Sequence, residues 1–316
     1  MITVFTPAYN RGHLLPRLYE SLCRQTFKDF EWVVVDDGSS DDTRSVVEKF
    51  SVSGFELSGD KAQPFNPQPS TLNPDFKTQN SKLKTNSIRY FYQENGGKHR
   101  AINRGVREAR GDIFFIVDSD DFLFPDSLEA IAEEFKQIKD DESFCGVSGM
   151  RGYSATEKIG TPVKFDHIDC TIMESSYKYH IYGDKAEAFK TDVLRRFPFP
   201  EYEGEKFCPE ALVLNRISKY YKIRYFDKII YQCEYLPDGL TSKISRLLEC
   251  NVKSTMVAYK EMNEFADVPL WFRIRSAINY YRYTMLKSFK YSDEFRLKQY
   301  WIWTLPLGII LRLIKG

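Results

Sequence analysis

The segment Asp118-Ser119-Asp120-Asp121 places three carboxylates within four residues, directly after the hydrophobic run IFFIV (113–117). Negative charges this close repel one another unless solvent or a cation compensates them. Carboxylate oxygens are the ligands that Mg²⁺ and Mn²⁺ prefer, and these ions commonly share a few protein carboxylates with the phosphates of a substrate. The segment therefore predicts a divalent-metal and phosphate site. The alternative is an acidic turn before the next helix, since Asp is favoured in turns.

Polar and aromatic residues also follow two earlier strand-like segments. Pro7 and Tyr9 close the first segment, and Asp36 and Asp37 end the second. A carboxylate at such a place can accept hydrogen bonds from a nucleobase or a ribose, and an aromatic ring can pack on a base. Ligands of open α/β sheets bind at the carboxyl ends of the parallel strands. Three strand ends with these residues favour one nucleotide site over three unrelated turns.

The elements that would position these residues alternate between strand and helix in the first half of the chain. Segments of helical periodicity separate four short hydrophobic runs, at 2–6, 31–35, 88–92 and 113–117. This order predicts an α/β fold with a Rossmann-like, mostly parallel sheet flanked by helices. After about residue 236 the pattern is helical. We therefore predict a catalytic domain over residues 1–235 and a helical extension over 236–316.

Residues 51–87 interrupt this alternation. They hold four prolines among Ser, Asn, Gln, Asp and Lys, with few apolar residues and no period. Such a segment buries too little apolar surface to offset the entropy lost on ordering, so we predict a flexible insertion. The alternative is a loop that contacts an acceptor or a partner.

Composition limits the class of protein and its partners. Lys and Arg number 45 against 44 Asp and Glu, so the net charge of +1 predicts no nucleic-acid partner. The six cysteines form no CxxC pair, which favours reduced thiols in a cytosolic protein. No secretory signal opens the sequence, and the longest apolar segment, 301–314, is broken by Pro306, Gly308 and Arg312. We expect a cytoplasmic protein.

The segment 271–316 combines basic and aromatic residues. It holds nine Lys or Arg against two acidic residues, and eleven aromatic side chains. Trp and Tyr favour the headgroup region of a bilayer, and Lys and Arg favour anionic lipid, so we predict peripheral contact with the inner face of the cell membrane. The alternative is a set of helices that pack on the catalytic domain and turn a charged face to solvent.

Five motifs together resemble glycosyltransferase family 2, whose members have the GT-A fold and are inverting enzymes. They are TPAYN (6–10), DDGS (36–39), NGGKHRAINRG (95–105), ARGD (109–112) and DSDD (118–121). The resemblance covers about residues 1–235. It implies transfer of a sugar from a nucleotide donor, usually UDP-linked, to a hydroxyl of a glycan or lipid-linked glycan, as in cell-surface polysaccharide synthesis. It also implies that Pro7, Tyr9 and Asp37 line the nucleoside pocket.

The resemblance further implies that the DSDD carboxylates surround Mn²⁺ or Mg²⁺ and the donor. Asp118 and Asp120 would face the donor phosphates and sugar, and Asp120 and Asp121 would hold the metal. Lys98 or His99, after the Gly-Gly pair at 96–97, would lie near the donor and offset phosphate charge. The alternative for this pair is a solvated helix start.

An inverting transfer also needs a general base that takes the proton of the acceptor hydroxyl. Members of the family commonly carry a Glu-Asp pair at the start of a helix, with the Asp as the base. Pro209-Glu210 stands at that place here, which departs from the pattern, so we predict Glu210 as the base and Glu205 as the second candidate. The alternative is that Glu210 only starts a helix, where the dipole favours an acid. Asp184 is a candidate acceptor contact, or a turn residue.

Two other functions compete with this one. A nucleotidyltransferase also combines metal-binding carboxylates with an α/β nucleotide site, but it normally has a glycine-rich phosphate loop near the N-terminus, which TPAYNRGHLL lacks. A non-catalytic sugar-nucleotide-binding protein is the other alternative, supported by the unusual Pro209-Glu210 pair. A dehydrogenase is excluded, because no GxGxxG follows the first strand.

Overall fold

The computed structural model describes residues 1–52, 88–161, 164–233, 243–284 and 294–315. Its strands are β1 (Ile2–Ala8), β2 (Phe30–Asp36), β3 (Ile88–Tyr92), β4 (Ile113–Ile116), β5 (Phe122–Leu123), β6 (Phe144–Gly152), β7 (His167–Cys170), β8 (Lys185–Lys190) and β9 (Lys222–Gln232). The helices in the first 235 residues are α1 (Leu15–Cys23), α2 (Thr43–Val52), α3 (Lys98–Glu108), α4 (Ser127–Ile138), α5 (Ile172–Tyr177), α6 (Thr191–Arg196) and α7 (Glu210–Ser218). The C-terminal helices are α8 (Ile244–Cys250), α9 (Val252–Glu264), α10 (Leu270–Thr284), a 3₁₀ helix (Gln299–Thr304) and α11 (Leu305–Lys315). Apart from residues 51 and 52, which end α2, the predicted insertion lies outside the described residues.

One sheet joins all the described strands, in the order β3-β2-β1-β4-β8-β6-β9-β5, with β7 paired to β9. The four strands β3, β2, β1 and β4 run parallel to one another. Beyond them β8 is antiparallel to both β4 and β6, while β6 and β9 are parallel. The α/β fold with flanking helices is therefore confirmed. The sheet is parallel from β3 to β4 and mixed in the rest.

The hydrophobic runs seen in the sequence are buried because helices cover both faces of the parallel half. Every residue of β2 is buried, which is the pattern of a central strand in a sheet covered on both sides. Its one charged residue before the end, Glu31, accepts a hydrogen bond from Thr3 Oγ1 at 2.7 Å and pairs with Arg89 at 3.2 Å. Burial of this carboxylate is thus compensated by partners on β1 and β3.

The parallel strands bring their carboxyl ends to one edge of the sheet. Ala8 at the end of β1 pairs with Asp36 at the end of β2, and Asp36 pairs in turn with Tyr92 at the end of β3. Beyond β4 the chain stays in register, since the amide of Val117 donates to the carbonyl of Phe5 at 2.8 Å. The loops that follow these strands therefore start side by side.

The C-terminal helices pack on the catalytic domain through charged and capping contacts. Arg216 on α7 makes two hydrogen bonds, of 2.9 and 2.7 Å, with the carboxylate of Glu261 on α9. The side-chain oxygen of Asn251, the residue before α9, accepts from the amides of Lys206 and Phe207 at 2.8 and 3.0 Å. The helical extension is confirmed, whereas the predicted boundary near residue 235 falls outside the described residues. No helix in the described ranges has the length and hydrophobicity needed to cross a membrane.

Glu205 caps α9 from the catalytic domain. It is buried, and its carboxylate accepts from the amide of Lys253 at 2.6 Å, the amide of Ser254 at 3.0 Å and the hydroxyl of Ser254 at 2.8 Å. An acid at a helix N-terminus satisfies amides that have no partner within the helix and interacts favourably with the helix dipole. Glu205 therefore holds the extension against the loop that precedes α7.

We predict that Glu205→Gln lowers the free energy of unfolding by about 1–3 kcal/mol, because the amide group removes the charge and directs hydrogens toward backbone N–H donors. Urea unfolding followed by circular dichroism measures the change. Glu203→Gln is the matched control, since Glu203 is an exposed residue of the same loop. Equal stability of the two variants would contradict the capping role.

Candidate active site

Three residues that are distant in the sequence meet at the carboxyl edge of the sheet. Lys98 is the first residue of α3, Asp118 follows β4, and Glu210 is the first residue of α7. The Lys98 Nζ atom lies 2.7 Å from Asp118 Oδ1 and 3.0 Å from Glu210 Oε1. One ammonium thus connects the predicted phosphate site with the predicted general base.

The charges in this group stabilise one another. Burial by itself lowers the pKa of Lys98, but Asp118 and Glu210 outweigh it and raise that pKa above its ordinary value. Burial by itself raises the pKa of Asp118, but Lys98 and Arg151 outweigh it and lower that pKa. His99, the other candidate beside the Gly-Gly pair, is buried, and burial together with Arg100 lowers its pKa to about 4. At neutral pH Lys98 is therefore charged and His99 is neutral.

Two contacts explain why Glu210 reaches this edge. The Arg100 guanidinium, one turn into α3, donates to the carbonyls of Tyr202 and Glu205 at 2.9 and 3.0 Å and so anchors the loop before α7. Gly97, with φ of 97°, lies so close to the carbonyl oxygen of Lys206 that a Cβ atom would be 1.8 Å from it. Only glycine permits both this conformation and this approach. The loop before α7 and the turn at residues 95–98 (NGGK) therefore pack together as one unit.

The DSDD residues form a turn whose carboxylates have different surroundings. The amide of Asp121 donates to the carbonyl of Asp118 at 3.2 Å, so the acidic turn predicted as the alternative is present. Asp121 is buried, with Oδ2 4.0 Å from Arg151 Nη1. Burial and the negative charge of Asp118 raise the pKa of Asp120. Asp120 is thus the member of the turn that gains most from an added cation.

The expected cluster of three carboxylates around one cation is not preformed. Within the described ranges, no three His, Cys, Asp or Glu side chains are grouped closely enough to hold a metal ion by themselves. The physical reason is that Lys98 and Arg151 already compensate two of the three charges, those of Asp118 and Asp121. The residues still fit an ion that takes one or two carboxylates and completes its coordination with phosphate oxygens, as Mg²⁺ commonly does.

Arg151 and Tyr231 belong to the site, although the sequence analysis missed them. The Arg151 guanidinium lies 4.1 Å from the centre of the Tyr231 ring and donates to the carbonyl of Lys185 at 2.8 Å. The Tyr231 hydroxyl accepts from the amide of Asp118 at 2.9 Å. Glu187 on β8 lies in the same region, where burial raises its pKa against the opposing charges of Lys185 and Arg151. Charged residues inside buried strands were the signal that could have identified Arg151 and Glu187.

The residues predicted to line the nucleoside pocket lie at the same edge of the sheet. They differ in their exposure and in the hydrogen bonds that they already make within the protein. Asp37 is buried, and its carboxylate accepts from Gln93 Nε2, Asn95 Nδ2 and the amides of Gly96 and Gly97, at 2.7, 3.1, 2.9 and 2.7 Å. These four donors occupy the carboxylate, so Asp37 orders the turn that leads to Lys98. Its contact with a nucleoside stays a prediction.

Pro7 and Tyr9 lie at the end of β1, Asp184 lies just before β8, and Glu205 lies in the loop before α7. Pro7 pairs with Val35 inside the sheet, whereas the Tyr9 ring is half exposed, which leaves it able to stack on a base. Asp184 is exposed in the turn before β8. Both oxygens of Glu205 accept hydrogen bonds from the N-terminus of α9, which leaves Glu210 as the stronger candidate for the base.

A family model described as glycosyl transferase family 2 matches residues 3–59 and 76–180. The match covers just over half of the 316 residues and omits residues 60–75, inside the predicted insertion. It includes all five motifs and both partners of the Lys98–Asp118 ion pair, whereas Glu210 lies beyond it.

Curated relatives that match the chain are named glycosyltransferases. GlyA of Streptococcus pneumoniae serotype 4 is 27% identical over 250 residues, which are 78% of this chain and 28% of that protein. GlyG of the same organism is 27% identical over 158 residues, which are 50% of this chain and 41% of that protein. An uncharacterised glycosyltransferase of Rickettsia typhi is 26% identical over 311 residues, with 92% and 85% of the two chains covered. The chain therefore spans less than half the length of the two streptococcal relatives.

Solved structures with a similar fold include two that contain nucleotide sugars. Residues 1–349 of TarS from Staphylococcus aureus, in complex with UDP-GlcNAc, align with a TM-score of 0.58 at 20% identity, covering 98% of this chain and 80% of that one. The mannosyltransferase PcManGT of Pyrobaculum calidifontis, in complex with GDP-Man and Mn²⁺, aligns with a TM-score of 0.53 at 17% identity, covering 100% and 75%. At these identities the likeness establishes the GT-A-like fold. Together with the family match, it shows that this chain belongs to glycosyltransferase family 2.

Proposed function

We propose that the protein is an inverting glycosyltransferase that moves a sugar from a UDP-linked donor to a hydroxyl of a glycan or lipid-linked glycan. The observation that carries this proposal is the position of Glu210, whose carboxylate lies 3.0 Å from the same Lys98 ammonium that contacts Asp118 at 2.7 Å. A base must lie close to the donor, because the hydroxyl that it deprotonates attacks the donor sugar. UDP is chosen as the carrier because it is usual in the family, and because the TarS structure with a similar fold contains UDP-GlcNAc.

The proposed reaction uses Glu210 at the acceptor hydroxyl and Lys98 at the donor diphosphate. Glu210 accepts the proton of the acceptor hydroxyl, whose oxygen attacks the anomeric carbon on the face opposite the diphosphate. The bond between that carbon and the diphosphate oxygen breaks, and the nucleoside diphosphate leaves with the electron pair. Lys98 offsets the negative charge of the diphosphate. The sugar is thereby joined to the acceptor with inverted configuration.

A divalent metal fits the DSDD turn. Asp120 and Asp121 would hold Mn²⁺ or Mg²⁺, and the bound ion would stabilise the charge that develops on the departing diphosphate. The raised pKa of Asp120, caused by burial and by Asp118, supports this assignment, since a nearby cation would relieve the repulsion. Asp118 would face the donor phosphates and sugar next to Lys98.

The nucleobase end and the acceptor end of the substrate site are assigned from the exposure of the residues that lie there. We propose that Tyr9 stacks on the nucleobase and that Pro7 and Asp37 shape the pocket around it, with Asp37 acting mainly through the turn that it orders. Asp184 is retained as a candidate contact for the acceptor, on the strength of its exposed position before β8.

Membership of the family favours glycosyl transfer over the two other functions considered. A nucleotidyltransferase releases inorganic pyrophosphate or a related anion, whereas glycosyl transfer releases a nucleoside diphosphate. A sugar-nucleotide-binding protein without catalysis releases neither. Product release measured in the presence of Mn²⁺ with a panel of UDP-sugars, and separately with UTP and sugar 1-phosphates, therefore separates all three.

Glu210→Gln should reduce the rate of UDP release by about 10²–10⁴-fold, the usual contribution of a general base, without weakening donor binding. The measurement pairs a coupled UDP-release assay with calorimetric titration of UDP. Glu203→Gln is the control, since it removes the same charge from the exposed part of the preceding loop. If Glu210→Gln turns over like the wild-type protein, Glu210 is not the base.

Asp120→Asn should raise the Mn²⁺ concentration needed for half-maximal UDP release by at least about tenfold, since even the partners of metal ligands contribute that much to affinity. The comparison is a Mn²⁺ titration of the wild-type protein and the variant. Asp126→Asn is the control, because Asp126 lies shortly after the same turn and pairs with Lys228 at 2.7 Å. An unchanged Mn²⁺ requirement would remove Asp120 from the metal site.

We also propose that the C-terminal helices contact an anionic membrane surface, where a lipid-linked acceptor would be presented. Along α11 and the preceding 3₁₀ helix, large apolar side chains are exposed on one side, including Trp303 (53%), Leu307 (45%), Ile310 (51%) and Ile314 (74%). The opposite side packs closely on α10, because a Cβ atom on Gly308 would lie 2.8 Å from the carbonyl of Ile278. A large exposed apolar patch on a fixed helix indicates a binding surface.

The charge of this region favours lipid as the occupant of the patch. Lys298 and Arg275 are exposed on the same helical extension, and Trp271, in α10, and Tyr300, in the 3₁₀ helix, are exposed aromatic residues. This combination of apolar, aromatic and basic side chains is typical of helices that lie in the headgroup region. It supports peripheral binding through α11.

Leu313→Glu combined with Ile314→Glu should reduce the fraction of protein that floats with phosphatidylglycerol-containing vesicles several-fold, because two charges replace the most exposed apolar side chains of α11. Tyr220→Glu, which changes an exposed aromatic residue of the catalytic domain, is the control. Flotation that is equal for all three proteins would contradict membrane binding. A change from dimer to monomer in light scattering, without a change in flotation, would assign the patch to a second copy.

A further inference from the structure

Lys98 contacts two carboxylates that have different proposed roles. Asp118, at 2.7 Å, lies on the donor side, and Glu210, at 3.0 Å, is the proposed base for the acceptor. The three side chains are 23%, 25% and 50% exposed for Lys98, Asp118 and Glu210. Glu210 is thus the more solvent-screened of the two partners, and its ion pair is the easier one to replace.

The position of Lys98 on α3 makes it a natural partner for a phosphate. It is the first residue of an 11-residue helix, and the preceding Gly97 has no side chain to cap the helix. The N-terminus of a helix carries partial positive charge and unpaired amides, so it favours anions and disfavours a lysine that has no anionic partner. Lys98 therefore needs carboxylate or phosphate oxygens around it in every state of the site.

A carboxylate held in an ion pair is a poor base. While Glu210 contacts Lys98, one of its oxygens is directed at the ammonium instead of at the acceptor hydroxyl. The donor diphosphate carries more negative charge than Glu210 and would enter beside Asp118. The diphosphate and Glu210 must then compete for the same ammonium.

We propose that Lys98 couples donor binding to release of the base: the donor diphosphate replaces Glu210 as the second anionic partner of Lys98, which frees the Glu210 carboxylate to accept the proton of the acceptor hydroxyl. This inference rests on the proposed function. It makes deprotonation of the acceptor depend on a loaded donor site. It also predicts that removal of the Glu210 charge strengthens nucleotide binding. If Glu210 helped to bind the donor, the same change would weaken nucleotide binding.

The test is a calorimetric titration of UDP, in the presence of Mn²⁺, into four full-length proteins: wild type, Glu210→Gln, Lys98→Met and the double variant. Glu210→Gln should bind UDP about two- to fivefold more tightly than the wild type, the range expected for loss of a competing, partly exposed ion pair. The same substitution in the Lys98→Met background should have no effect. Glu203→Gln should bind like the wild type, because it removes an exposed charge of the same loop without contacting Lys98.

A titration with uridine gives a control that does not require Lys98→Met to fold. Uridine has no phosphate, so Glu210→Gln should leave its binding, measured by NMR, unchanged. Equal UDP affinity of the wild type and Glu210→Gln, or equal tightening for UDP and uridine, would overturn the coupling. Those outcomes would leave the proposed function intact. If the wild-type protein binds no nucleotide and releases no UDP from any donor, the proposed function fails and the coupling fails with it.

Discussion

Compensation of negative charge at the carboxyl edge of the sheet is the constraint on which the rest of the site depends. The fold brings the DSDD turn, the end of β2 and the start of α7 together, and each of them carries carboxylates. Without partners these charges would repel one another in a partly buried region. Lys98 and Arg151 compensate Asp118 and Asp121, and the four donors of the 93–97 turn compensate Asp37. Side chains and amides of the protein thus compensate these three carboxylates.

The NGGK turn (95–98) links the carboxylate of Asp37 to the helix that carries Lys98. Asp37, at the end of β2, orders the turn, the turn starts α3, and α3 presents Lys98 to the site. The same turn packs against the loop before α7, because Gly97 leaves room for the carbonyl of Lys206. Through Glu205 that loop also caps α9, so the C-terminal helices are joined mechanically to the segment that positions Glu210. Substitution of Glu205 is therefore expected to affect both stability and the position of the proposed base.

Electrostatics also distinguish the members of the acidic turn. Asp118 is stabilised as a carboxylate by Lys98, whereas Asp120 is held beside Asp118 with less compensation, and its pKa is raised. A turn with one such residue is suited to a cation that arrives together with phosphates, rather than to an ion bound permanently by protein ligands. Arg151, fixed by the Tyr231 ring and the carbonyl of Lys185, adds a second positive charge behind the turn.

The sequence by itself determined the α/β fold, the strand ends that carry the site, the family and the helical nature of the extension. These features follow from the spacing of the hydrophobic residues, from the residue types that favour turns and from the order of the motifs. All three are local properties of the sequence. Only the tertiary structure showed that Glu210 contacts Lys98 whereas Glu205 caps α9, because the two acids lie five residues apart and differ in the partners that they meet. It also revealed Arg151 and Tyr231, and it showed that the carboxylate of Asp37 is occupied by donors of the 93–97 turn. Partners of this kind come from segments up to about a hundred residues away, so no local pattern encodes them.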